Sequence, residues 1–145
     1  MDRRRLLARA ADILAAWNRG DAEGIGALVA EDVIWRDVAR KMPLHGREAL
    51  VTATQKYMDA FPDLHVHETS ATLSGLRLAQ EVTAVGTHRG RLLGVDPTNR
   101  WTETYLAVIT TFDEEGMVIE GALYWSPLAM FQQLGILAGL APATA

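Results

Sequence analysis

An α+β fold, with amphipathic helices leading into a mostly antiparallel sheet, follows from three features of this 145-residue chain. Apolar residues recur at helical spacing through the first 60 positions. After Pro62 the period changes to two, and turn-forming residues separate the alternating stretches. From residue 127 an apolar segment returns to helical spacing.

Each element has its own signal. Leu6, Leu7, Ala10, Ile13, Leu14 and Trp17 form one apolar stripe, predicting a helix over residues 5–18 that Asn18-Arg19-Gly20 stops. Asp21 can cap a short second helix holding Ile25, Leu28 and Val29. VIWRDV, residues 33–38, reads as a strand, and KMPLHG, residues 41–46, as a loop. Leu50, Thr54, Tyr57 and Met58 predict a helix from Arg47 to Ala60, ended ahead of Pro62. Strands are expected near 63–73, 76–88, 101–112 and 117–125, with DEEG at 113–116 as a hairpin turn. Residues 127–138 read as a final helix and 139–145 as a frayed tail. The chain is expected to be a single domain, 1–145, with its core from about 5 to 138. No repeat or linker interrupts it. A strongly bent sheet over amphipathic helices would leave a pocket between the layers.

Composition narrows the function classes. The chain is 49% hydrophobic and 22% charged, with a net charge of -4. That balance gives no basic footprint for nucleic acid, and Arg3, Arg4 and Arg5 are too few to form an arm. The absence of cysteine excludes disulfides, thiolate metal sites and a cysteine nucleophile. The N-terminus lacks an uninterrupted apolar core, so no signal peptide is expected and the cytoplasm is the expected compartment. No run approaches the ~18 apolar residues of a membrane span.

The motifs AWNRGD, GREAL, FPDLHV, GTHRG-x-LLG-x-x-PT and YW-x-x-L-x-x-x-QQLG resemble the SnoaL-like polyketide cyclases of the nuclear-transport-factor-2-like superfamily. The resemblance runs from about residue 13 to 137. It implies a cone-shaped α+β barrel with a deep apolar cavity, a homodimer paired through the outer sheet faces, and a hydrophobic polyketide-like substrate. It also implies ring closure by intramolecular aldol condensation without metal or cofactor, using an Asp base and an assisting His.

His88, in GTHRG, matches the assisting His. Strand parity puts it on the face of Val82, Ala84 and Gly86, beside glycines 86 and 90 that would let a ligand approach closely. The base is less plain. The resemblance places the Asp near Thr102, but the run here is RWTETY, with Glu103 one residue on. A one-residue shift turns a side chain to the other face of a sheet, and both faces of this strand are partly apolar, so parity leaves Glu103 open. Where the resemblance expects Tyr-Trp-Asp, the chain has Tyr124, Trp125 and Ser126; Glu120 shares the face of Tyr124 and Ser126 and is a second acidic candidate. Asp37, on the face of Trp35, is a third, and a buried Asp there would need partners. Trp35, Tyr57, Met58, Phe61, Thr102, Tyr105, Tyr124 and Ser126 are the candidate substrate contacts. His65 and His67 fall opposite Leu64 and Val66 and read as solvated or at a subunit contact; no third ligand completes a metal site. A cofactor-free cyclase or isomerase is therefore the first reading. A ligand-binding protein without chemistry, or a hydrolase of the epoxide-hydrolase type, is the alternative.

Overall fold

The structure, a computed structural model, describes residues 2–137. Four helices and six strands follow the order α1 (Arg3–Asn18), α2 (Ala22–Gly26), β1 (Val29–Asp37), β2 (Leu44–His45), α3 (Arg47–Ala60), β3 (His65–Ser74), β4 (Arg77–Thr87), β5 (Trp101–Phe112), β6 (Val118–Tyr124) and α4 (Pro127–Leu134). The strands form one sheet in the order β2-β1-β6-β5-β4-β3. Only β1 and β6 run parallel; every other neighbouring pair is antiparallel. Register shifts on β1, β3 and at the end of β5 bend the strands, as bulges do, and the sheet curls without closing. The α+β class, the leading helices and the short C-terminal helix are as the sequence predicts.

The helices close the concave side. Leu6 and Ala10 of α1 and Leu50 of α3 pack against Leu78, Phe112 and Val118 of the sheet. A second cluster joins Ala60, Phe61, Leu92, Met130 and Leu134, and a third fixes α2 through Ala16, Ala22, Ile25 and Met58. Local chemistry sets the helix ends. Asp2 accepts from the Arg4 N–H at 2.9 Å, and Ser126 accepts from the Ala129 N–H at 3.0 Å.

Several boundaries differ from the sequence reading. The second helix stops at Gly26, and Val29 instead starts β1, four residues before the expected strand. Inside the expected loop, Leu44 and His45 pair with Trp35 and Ile34 as a short edge strand. The last helix ends at Leu134 because Gly135 adopts the left-handed conformation, φ 74°. Position 138 and the expected tail, 139–145, lie outside the described residues. No described helix is long and apolar enough to cross a membrane.

The glycines of GTHRG serve the helix rather than a ligand. The N–H groups of Arg89 and Gly90 both donate to the Ala60 carbonyl, at 2.9 and 3.1 Å, capping α3. A Cβ on Gly90 would stand 2.4 Å from the Asp59 carbonyl oxygen, and one on Gly86 would press on Phe61. Backbone cannot yield as a side chain can, so Gly90→Ala is expected to destabilise the fold by about 2 kcal/mol. In thermal unfolding this is a fall of about 4–8 °C. An unchanged midpoint would contradict the close approach.

Candidate active site

Between α1, α3 and the concave sheet lies a cavity of about 180 Å³. Alternate residues of β5 build its longest wall: Thr102, Thr104, Leu106, Val108, Thr110 and Phe112. Gln80, Val82 and Ala84 of β4 extend it, and Ile13, Leu14 and Trp17 of α1 face them. Trp35 lies flat against β6, which is possible only because its cross-strand neighbour is Gly121; a Cβ there would sit 2.0 Å from the indole ring. The wall is otherwise apolar, so its few polar atoms define what a ligand can find there.

Asp37 and Arg40 are the charged residues that line this space. Asp37 ends β1 and is only 6% exposed. Three donors converge on its carboxylate. The Tyr57 hydroxyl donates to Oδ2 at 2.6 Å, the Trp125 indole N–H to Oδ1 at 2.9 Å, and the Ala39 backbone N–H to Oδ1 at 2.9 Å. Tyr57 and Trp125 also meet edge to face, with ring centroids 6.4 Å apart. Burial pushes the Tyr57 phenol far above its ordinary pKa, and its hydrogen bond to Asp37 adds to this, so the hydroxyl stays a donor. Two polar atoms buried in the lining residues have no partner among the described residues: Arg40 Nε and Thr104 Oγ1.

Of the substrate contacts expected from sequence, Trp35, Tyr57, Phe61 and Thr102 line the cavity. Met58 is buried with α1 and α2 outside it. Ser126 is occupied as the cap of α4. Tyr105 and Tyr124 lie on the convex side, 71% and 51% exposed. The acidic candidates separate in the same way. With Thr102 and Thr104 facing inward, Glu103 faces outward and accepts from the Tyr105 hydroxyl. Glu120 is also outside, paired with Arg36 at 2.7 Å across two half-exposed side chains. Asp37 is the one acidic candidate that the fold brings to the cavity. His65 and His67 are exposed, as parity expects.

His88 is fully buried, yet it does not line the cavity. Its ring packs on Phe61, which does, at a centroid distance of 5.6 Å. Its Nδ1 accepts from the Thr98 N–H at 3.2 Å and lies 3.1 Å from the Thr98 hydroxyl. The ring proton therefore belongs on Nε2, which is buried and has no partner among the described residues. His88 thus ties the 89–100 loop to the end of β4. Sequence reasoning missed Arg40 and the indole N–H of Trp125. Arg40 falls in an irregular turn where no periodicity applies, and the Trp125 contact joins positions 88 residues apart.

Burial holds the His88 pKa below the ordinary 6.5. In the unfolded chain the ring takes up a proton as pH falls through that value, while the folded ring resists. Stability from this group is therefore full above about pH 6.5 and declines as pH falls towards the lowered folded value. The loss is at most about 1.4 kcal/mol per pH unit. Urea unfolding between pH 7.5 and 5.5 is expected to show a shallower pH dependence for His88→Gln than for the natural chain. Parallel dependences would contradict the buried neutral ring.

Comparison with known proteins agrees with this architecture. The family model for SnoaL-like polyketide cyclase matches residues 7–134. No curated protein matches the chain. Among solved structures, AclR from Streptomyces galilaeus, named as a hydroxylase candidate, is 25% identical with a TM-score of 0.83, covering 96% of this chain and 86% of its own. IdmH from Streptomyces antibioticus, named as a candidate polyketide cyclase, is 25% identical with a TM-score of 0.77, covering 90% and 98%. A protein of ketosteroid isomerase-like fold from Catenulispora acidiphila is 20% identical with a TM-score of 0.76, covering 92% and 97%, and shares the fold. With a match across nearly its whole length, the chain belongs to the SnoaL-like polyketide cyclase family.

Proposed function

We propose that the cavity takes an apolar, polyketide-like carbonyl compound and that Asp37 is the general base acting on it. The observation that carries this reading is a single buried carboxylate in an apolar lining, held rigid by three donors. A carboxylate has about four acceptor positions, so three donors leave about one for an incoming proton. Asp37 removes a proton from the carbon next to the carbonyl, and the bound conformer sets the internal carbon–carbon attack that closes a ring. Phe61, Trp35 and Thr102 shape the chamber that holds that conformer, and His88 positions the Phe61 wall from behind.

A second reading is favoured by the same hydrogen bonds. If Asp37 serves only to seat Tyr57 and Trp125, the chain is a carrier of apolar ligands without chemistry. A hydrolase of the Asp-Arg-Asp type has less support, because the described lining residues contain one Asp and no Glu. The convex face of β5 and β6 exposes Trp101, Tyr105 and Tyr124, and we propose that two copies of the chain pair through it.

Exchange of solvent deuterium into the methyl group of 2-acetylnaphthalene, followed by NMR, separates the two readings. The natural chain is expected to catalyse exchange, and Asp37→Asn to slow it by at least ~10² with the dissociation constant little changed. Binding without exchange by the natural chain would leave the carrier reading. The dimer is tested by light scattering: Tyr105→Glu is expected to shift the mass from two chains to one, and a natural chain that is already monomeric would reject it.

A further inference from the structure

The cavity offers a hydrogen-bond donor that nothing among the described residues uses. Arg40 lines it, three residues beyond Asp37, in the turn that its own N–H closes onto the Asp37 carbonyl at 2.9 Å. Its Nε is buried and unpartnered, and its charge acts on the Tyr57 hydroxyl, the same group that donates to Asp37. The guanidinium and the carboxylate therefore share one end of the chamber. Arg40 as a whole is half-buried, but leaving its buried Nε–H unmatched is costly, and a bound acceptor would offset that cost. Thr104 points the same way. The residue is only 8% exposed, and its buried hydroxyl lines the same space and also lacks a partner among the described residues. A purely hydrocarbon ligand would leave both atoms unmatched.

We propose that Arg40 is the oxyanion donor of this cavity, and that its ligands are apolar molecules presenting a carbonyl oxygen to Arg40 Nε–H beside Asp37. The assignment rests on the carbonyl-compound reading given above and adds the residue that receives the oxygen. In the step it serves, a C–H bond next to the carbonyl breaks and its proton passes to the Asp37 carboxylate. The electron pair moves onto the oxygen as an enolate, which Arg40 holds; return of the proton or a solvent deuteron restores the ketone. The donor matters more as charge grows on the oxygen, so it acts on the rate more than on binding. Arg suits this place because its planar guanidinium presents fixed N–H donors to an oxygen.

Two probes of nearly the same shape test it: 2-acetylnaphthalene, which has the oxygen, and 2-ethylnaphthalene, which does not. The natural chain is expected to bind the ketone more tightly by calorimetry. Arg40→Met is expected to reduce that preference about tenfold while the hydrocarbon changes less than about twofold. Deuterium exchange into the ketone should fall by more than its affinity. Should Arg40→Met fail to fold, Arg40→Lys keeps the charge without the planar Nε–H, and is expected to lose at least about threefold of the preference. An unchanged preference, or equal weakening of both probes, would overturn the assignment. Failure of Asp37 as the base looks different: exchange survives Asp37→Asn while the ketone preference stays intact. A natural chain that binds neither probe would overturn the cavity reading and the Arg40 assignment together.

Discussion

The constraint on which the rest depends is the cost of placing the Asp37 carboxylate in an apolar chamber. Removed from water, it needs donors, and each of the three comes from a different part of the chain. Tyr57 belongs to α3, Trp125 follows β6, and the Ala39 N–H belongs to the turn after β1. Satisfying one acidic group thus fixes the positions of a helix, a strand end and a turn relative to each other. A hydrogen bond to a charged group contributes about 1.5–3 kcal/mol, against about 1 kcal/mol for a neutral pair. The cluster is also where the parallel pairing of β1 and β6 matters, because Asp37 stands opposite Leu123, two residues before Trp125.

One wall of the chamber is flat at the β1–β6 pair. Trp35 spreads over Gly121 and takes the space a side chain would fill, while β5 presents threonines and branched aliphatics at alternate positions. Packing clusters flank the chamber: Leu6 packs with Phe112 and Val118, and Leu92 with Phe61 and Met130, and of these Phe112, Val118, Phe61 and Met130 also line the cavity. Bulges at the strand irregularities let a sheet built on long strands curl over the helices without meeting itself.

Much of this was legible in the sequence, for identifiable reasons. The stripe of Leu6, Ala10, Ile13 and Trp17 and the alternation through β4 and β5 are strong periodic signals. The same parity put Asp37 with Trp35 and opposite Arg36, which is where they stand, with Arg36 reaching Glu120 outside. Parity could not choose between Glu103 and Thr102, because both faces of β5 are half apolar. The choice depends on which face meets the helices, a tertiary fact. The start of β1 at Val29 and the two-residue β2 were hidden by irregular register, and the end of α4 by Gly135, whose left-handed backbone stops the helix inside an apolar run. Proximity in sequence misled at glycines 86 and 90, whose lack of side chains admits the end of α3.

In the proposed reading, His88 and Arg40 divide two tasks that a single imidazole could otherwise combine. A histidine with its Nδ1 bonded to Thr98, its ring against Phe61 and its charged form disfavoured by burial is suited to holding a loop and a wall in place. It is poorly placed to meet charge that develops inside the chamber. In the proposed reading, a guanidinium at the chamber's acidic end offers planar N–H donors to an oxyanion. Donor and acceptor then sit on one short segment, residues 37–40, closed by a single backbone hydrogen bond. That backbone bond keeps the two residues close along the chain, while Tyr57 of α3 and Trp125 after β6 orient the carboxylate itself, so the turn and the sheet together set what a ligand meets at this end.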